Sequence, residues 1–180
     1  MIFSRFFGKK KQEPEYDPSD LRITDLKKGF VVDYDLKTWQ VTAEYEYDWG
    51  GGFFTKEYKL DSGTESLYLH IEDDDELELS LSRKVGIRRF EEDIRAHFAD
   101  DDLPPESVTL EGKTYHRIEE SLGYFRDVSR EGWSELASYT YEDDDEETFV
   151  NIERWGEEEF EASYGTYADE YEFSNILPNE

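Results

Sequence analysis

The sequence predicts a mainly β, antiparallel protein. Three observations predict it: long runs in which apolar and polar residues alternate, turn-forming residues between those runs, and a single stretch whose apolar spacing turns helical. The expected architecture is two tandem antiparallel β-sheet or small-barrel modules with one short connecting helix. An α+β fold, with the helix covering one sheet, is the alternative. The expected divisions are a basic N-terminal tip and linker over 1–20, a first β module over 21–86, a helix and acidic linker over 87–107, and a second β module over 108–180.

The elements follow in chain order. Residues 12–20, with Pro14 and Pro18, read as a flexible or extended linker. From Thr38, Trp39, Val41, Ala43, Tyr45 and Tyr47 fall on one side and Gln40, Thr42, Glu44, Glu46 and Asp48 on the other, which predicts a half-buried strand. Gly50, Gly51 and Gly52 interrupt it before an aromatic run at Phe53, Phe54 and Tyr58, the pattern of a hairpin with a glycine loop. Leu67, Leu69 and Ile71 alternate with Tyr68, His70 and Glu72. Leu77, Leu79 and Leu81 then alternate with Glu78, Ser80 and Ser82, and Asp73, Asp74 and Asp75 make the turn between the two strands. The period changes at Ile87, Phe90, Ile94 and Phe98, three or four apart, which predicts one amphipathic helix over 87–98.

Composition bounds the function. The chain has 180 residues, a size that buries a real core, and carries 47 acidic against 20 basic side chains for a net charge of −27. So high a charge, with few aliphatic residues, approaches the composition of a disordered chain. The 4 Trp, 13 Tyr and 12 Phe argue instead for a fold, because each buries a large apolar surface. Cysteine is absent, which removes disulfides, thiolate metal sites and cysteine nucleophiles and suits a cytoplasmic protein. No apolar run approaches the ~18 residues of a membrane span, and no secretory signal is apparent. The acidic field repels phosphate backbones, so no nucleic-acid partner is expected. Charge is segregated: residues 1–11 hold Arg5, Lys9, Lys10 and Lys11 and no acid. Were they helical, Ile2, Phe3, Phe6 and Phe7 would share one side, and Arg5 with the three lysines would reach anionic headgroups. This gives an expectation of peripheral contact at the inner face of a membrane. The competing reading is a frayed start whose aromatics pack on the domain.

The chain repeats itself. At an offset of 81, Tyr58 meets Tyr139, Glu65 meets Glu146, Ile71-Glu72 meets Ile152-Glu153, and Ser82 meets Ser163. Further upstream Lys37-Thr38-Trp39 meets Lys113-Thr114-Tyr115 at an offset of 76. Chance agreement between two acidic, Tyr-rich regions is the competing reading. The last strand of the second copy has the weaker apolar face, with Glu158 for Leu77 and Ala162 for Leu81. Residues 165–177, with Tyr167, Tyr171, Phe173 and Ile176, are expected to supply its cover.

The string Asp33-Tyr34-Asp35-Leu36-Lys37-Thr38-Trp39-Gln40-Val41, followed by Glu57-Tyr58-Lys59-Leu60, Leu67-Tyr68-Leu69 and Ile71-Glu72, resembles the bacterial domain-of-unknown-function 4178 family over residues 21–177. The chain departs from that pattern at Gly29-Phe30, where the family shows Gly-Asp, and at Thr55, where it shows Trp. Trp133-Ser134-Glu135 is a looser match in the second half. The resemblance implies a bacterial cytosolic protein grouped with membrane-stress proteins of the phage-shock type. It transfers no catalytic residue.

No catalytic residue, metal site or cofactor is expected. Carboxylate pairs are too common here to mark acid–base chemistry, and His70, His97 and His116 lie in no metal-binding spacing. His70 is expected on a solvated strand face. The acidic runs at 73–76 and 143–147 lack the alternating ligands and central Gly of a calcium loop and read as charged turns. The candidate binding residues are Tyr47, Trp49, Phe53 and Phe54 around the glycine loop, with Trp133 and Tyr139 near them in the second copy. Exposed rings there would grip a peptide or another β edge, whereas buried ones would only fill the core. The leading expectation is a non-enzymatic acidic interaction module for a basic protein partner, in a membrane-stress or polyamine-linked system. The alternatives are an acidic nucleic-acid-mimicking inhibitor and a binder or enzyme of a cationic small molecule, for which carboxylates beside aromatics are suitable chemistry.

Overall fold

The structure, a computed structural model, describes residues 21–156 and 159–178. The chain is mainly β and antiparallel, as expected. Eleven strands, β1 (Val31–Tyr34), β2 (Lys37–Asp48), β3 (Phe54–Asp61), β4 (Ser66–Asp73), β5 (Leu77–Val85), β6 (Ser107–Leu110), β7 (Lys113–Asp127), β8 (Ser134–Glu142), β9 (Thr148–Trp155), β10 (Glu159–Ala168) and β11 (Ser174–Leu177), join in one sheet of order β11-β1-β2-β3-β4-β5-β10-β9-β8-β7-β6. A further pairing of β2 with β7 closes eight of them, β2-β3-β4-β5-β10-β9-β8-β7, into a ring. Two meanders therefore meet along two seams. One is β5 with β10, from Val85↔Ala162 to Leu79↔Ala168, and the other is the shorter β2 with β7, from Tyr45↔Asp127 to Asp48↔Tyr124.

Local chemistry shapes both meanders alike. β1 turns into β2 through Asp35-Leu36, and β6 into β7 through Glu111-Gly112, all four with positive φ, the conformation a two-residue hairpin requires. A bulge interrupts β2 at Thr42 and β7 at Ile118, 76 positions apart. Each bulge reverses which residues face which side. Trp39 and Val41 enter an apolar cluster, but beyond the bulge Tyr45 and Tyr47 share the opposite face with Glu57 and Thr55. The expectation that all five apolar residues of this strand share one face fails at that single inserted residue.

Register aligns the two meanders differently from the 81-residue offset. Tyr58 pairs with Leu69 and Tyr139 with Ile152, so Ile152 corresponds to Leu69 rather than to Ile71. The cause is the β8–β9 connection, which runs two residues longer between paired positions (Glu142↔Phe149) than the β3–β4 connection (Asp61↔Ser66).

The aliphatic residues of β4, β5 and β9 point outward and are covered from outside, while Phe149 of β9 turns inward. Leu67, Leu69 and Ile71 of β4 and Leu79 and Leu81 of β5 pack under Ile23, Leu26, Phe30 and Phe173. Tyr139, Tyr141, Val150 and Ile152 pack under Phe90, Ile94, Phe98 and Val108. The helix, α1 (Ile94–Asp101), is shorter and later than the periodicity predicts, because Phe90 is held extended in a bridge to Leu110 and Glu91 N–H donates to the Thr109 carbonyl at 3.0 Å. Asp93 then caps it, accepting from Ala96 N–H at 3.1 Å. The apolar spacing still marks what is buried. Phe173 and Ile176, expected to cover the second half, cross instead to the first cluster, where β11 pairs with β1.

Ile2, Phe3, Arg5, Phe6, Phe7, Lys9, Lys10 and Lys11, the residues of the expected membrane contact, lie outside the described residues. Among the described residues no helix is long and apolar enough to cross a membrane.

Candidate functional site

With both apolar faces turned outward, the ring closes around its polar faces. They enclose a cavity of about 480 Å³ reached by side chains from all eight ring strands. An eight-stranded barrel has room inside for packed side chains or for one small ligand. Here short polar side chains leave space where long apolar ones would fill it.

The interior is banded because inward residues recur every second position. On β5 the inward series is Glu78, Ser80, Ser82, Lys84. At the Glu78 end, Glu72 stands opposite on β4, and Glu119 and Glu142 enter from β7 and β8. Burial, then the neighbouring Glu78 and Glu119 charges, raise the Glu72 carboxyl above its ordinary value. Tyr167 donates a hydrogen bond to Glu142 at this end. The middle band is neutral and hydrogen-bonding: Ser138 donates to the Asn151 carbonyl oxygen at 2.9 Å, with Thr140, Ser80, Ser82 and Ser163 around them.

The opposite end holds the one lysine that, among the described residues, lines the cavity. The Lys84 ammonium lies 2.6 Å from Glu161 and 3.7 Å from Glu153, and 5.3 Å from the centre of the Tyr68 ring. Burial works against its charge, but the Glu153 charge and the bond to Glu161 overcome that and hold the ammonium above its ordinary pKa. Glu57 is pushed up to about 8, by burial first and then by the Glu153 charge, so near neutrality it keeps its proton. It borders Tyr47, with Tyr47 Oη 3.3 Å from Glu57 Oε1. Burial also raises Glu153.

His70, expected on a solvated face, points into this interior instead. Its ring meets Tyr47 edge-on at 5.6 Å, and burial holds its pKa down to about 4, so the ring is neutral. The alternation correctly separates His70 from Leu69 and Ile71. It does not say that the polar side faces inward.

Of the aromatic candidates, the fold brings three to the cavity. Tyr47 is 4% exposed, Trp49 stacks on it at 5.3 Å and donates to Thr55 Oγ1 at 3.0 Å, and Phe53 lines the cavity beside them. Gly123 makes room for Trp49, since a Cβ there would stand 2.7 Å from its ring and from the Asp48 carbonyl. Phe54 points outward and is 52% exposed. Trp133, 40% exposed, lies away from the cavity under the Arg126 guanidinium at 4.8 Å, and Tyr139 is buried in the second apolar cluster.

Asp143 opens the acidic turn before β9. Its side chain is buried and accepts from Lys113, from Thr148 Oγ1 and from the Glu147 N–H at 3.0 Å. The Lys113 and Thr148 bonds hold its carboxyl well below the usual range. The turn is tied by its own chain. Among the described residues no three His, Asp or Glu side chains are placed to hold a metal ion.

Sequence reasoning missed the groups that define the interior: Glu57, Lys84, Glu153 and the serine–asparagine band. A signal was present, since Ser80, Ser82, Ser138 and Ser163 occupy polar phases that a solvent-facing strand commonly fills with longer charged or β-branched residues.

The model of a family described as a domain of unknown function (DUF4178) matches residues 27–170. An uncharacterized protein of Aquifex aeolicus (strain VF5) is 27% identical over 175 residues, covering 97% of this chain and 95% of the relative. No solved structure matches the chain. A match across most of the closed ring and both apolar clusters settles the family: this chain belongs to the DUF4178 family.

Proposed function

We propose that the protein is a non-enzymatic binding module whose barrel interior takes a small molecule with a cationic end. One observation carries this reading: every strand of a closed eight-stranded ring contributes to a cavity of about 480 Å³ with a largely polar lining, while the aliphatic residues of β4, β5 and β9 are turned outward and covered. That inversion gathers Glu72, Glu78, Glu119 and Glu142 at one end of the cavity, where the Glu78 and Glu119 charges repel the half-buried Glu72, and an entering cation relieves that repulsion. Aromatic side chains of Tyr47 and Trp49 on the cavity wall add cation–π attraction of ~0.5–2 kcal/mol. The Lys84 ammonium, seated beside Glu161 and above Tyr68, supports the reading that this interior suits cations. The partner thereby shifts from a basic protein to a small cation, because the recognition groups lie inside.

The test is thermal unfolding with n-hexylammonium or choline, against NaCl at equal ionic strength. Stabilisation by the organic cations beyond that by NaCl, with the cations recovered chemically unchanged, is the expected result. Equal effects of all three salts would refute the reading.

A further inference from the structure

We propose that Lys84 determines the ligand's charge count: its ammonium fills one of two cationic positions in the cavity, so the protein selects a ligand with a single ammonium and a neutral remainder. This inference rests on the cation-binding reading and sharpens it.

The two positions are the ends of the banded interior. Glu78 and Lys84 are six residues apart on β5, roughly 20 Å at the rise of a strand. At the Lys84 end the ammonium is already held by Glu161 at 2.6 Å and Glu153 at 3.7 Å, with the Tyr68 ring 5.3 Å away. A second ammonium arriving there would meet a like charge in a site whose carboxylates are engaged. At the other end stand Glu72, Glu78, Glu119 and Glu142, and no basic side chain lines that end among the described residues. Between them the Ser138–Asn151 band is neutral and offers hydrogen bonds to an uncharged body. One end therefore calls for a cation, the middle accepts a neutral chain, and the far end supplies its own cation.

The matched probes are n-dodecylammonium and 1,12-dodecanediammonium, of equal length, long enough when extended to approach the separation of the two ends, and differing by one ammonium. Wild type should bind the monocation at least tenfold more tightly by calorimetry. Lys84→Met should move the ratio at least tenfold toward the dication, whose second ammonium replaces the lost one. Should Lys84→Met fail to fold with Glu153 unpaired, the double variant Lys84→Met/Glu153→Gln removes the stranded carboxylate and should show a shift in the same direction. Equal binding of both probes by wild type, or a ratio that no folded variant changes, overturns the assignment of Lys84. Binding of neither probe by wild type overturns the cation-binding reading itself, so the two failures are distinguishable.

Discussion

The two faces of β4 differ by one residue in phase and by everything in consequence. Leu67, Leu69 and Ile71 point outward into a cluster sealed by Ile23, Leu26 and Phe173, while Tyr68, His70 and Glu72 point inward to the cavity. β9 repeats the contrast, with Val150 and Ile152 outward and Asn151 and Glu153 inward. In most small barrels the inside is the packed core. Here the sheet is stabilised from outside, and its inside is free to carry charges that a core would not tolerate. Stability and recognition are thus assigned to opposite faces of the same strands, and substitutions on the two faces should behave differently.

The largest effect is expected on the outward face. Ile152 is fully buried, and Ile152→Asp places an unpaired charge in the second apolar cluster, costing about 4 kcal/mol or more. Loss of the cooperative unfolding transition at 37 °C is the expected readout, and a variant within 1 kcal/mol of wild type would contradict the assignment of that face as core. Next comes Gly165, where a Cβ would stand 2.4 Å from both the Leu81 carbonyl and the Phe149 ring. Gly165→Val should cost about 1–3 kcal/mol in denaturant unfolding by overpacking the β5–β10 seam. An unchanged midpoint would show that the seam is looser than its geometry.

Inward substitutions should differ in kind, because their effect depends on pH. Glu57 is raised from 4.5 to about 8 in the fold. Between those values the folded protein holds a proton that the unfolded chain has released, so this group lowers stability as pH rises from about 4.5 to about 8, after which the loss levels off. Glu57→Gln should remove that decline and leave the variant more stable than wild type above pH 8. His70 acts with the opposite sign. Its pKa falls from 6.5 to about 4, so its contribution is present above pH 6.5 and is lost as pH drops toward 4. His70→Gln should flatten that acid limb. Unfolding curves from pH 4 to 9 test both, and parallel profiles for wild type and variants would show that neither group is buried as described. The smallest effect belongs to Phe54, 52% exposed on the outer surface. Phe54→Ser should stay within about 0.5 kcal/mol of wild type and leave ligand binding unchanged.

Much of this contrast is legible in the sequence. The period-two runs at 67–72 and 77–82 give the strands, their phase and the turn between them, and the aliphatic side is the buried one. Sequence alternation does not give handedness of closure: it separates Leu69 from His70 without saying which of them faces a neighbouring sheet. That depends on β2 meeting β7, a pairing between residues about 80 apart in the chain, and no local pattern encodes it. The bulges at Thr42 and Ile118 are invisible for a related reason. One inserted residue reverses the phase of Tyr45 and Tyr47 without altering the alternation that a reader sees. The glycine loop led to Tyr47, Trp49 and Phe53, since aromatic residues beside a tight turn are conspicuous. Lys84, Glu153 and Glu57 come from three strands and show no shared spacing, so only the closed ring assembles them.

The central claim is that the inside of the ring is a binding site. Its most direct test is amide chemical-shift mapping during titration with n-hexylammonium, with NaCl at equal ionic strength as the reference. The account predicts saturable shifts at inward positions, chiefly Glu72, Glu78, Ser80, Ser138 and Asn151, with Leu69 and Ile152 on the outward faces moving less. Shifts spread over exposed acidic turns such as 73–76, or none beyond those of NaCl, would contradict it.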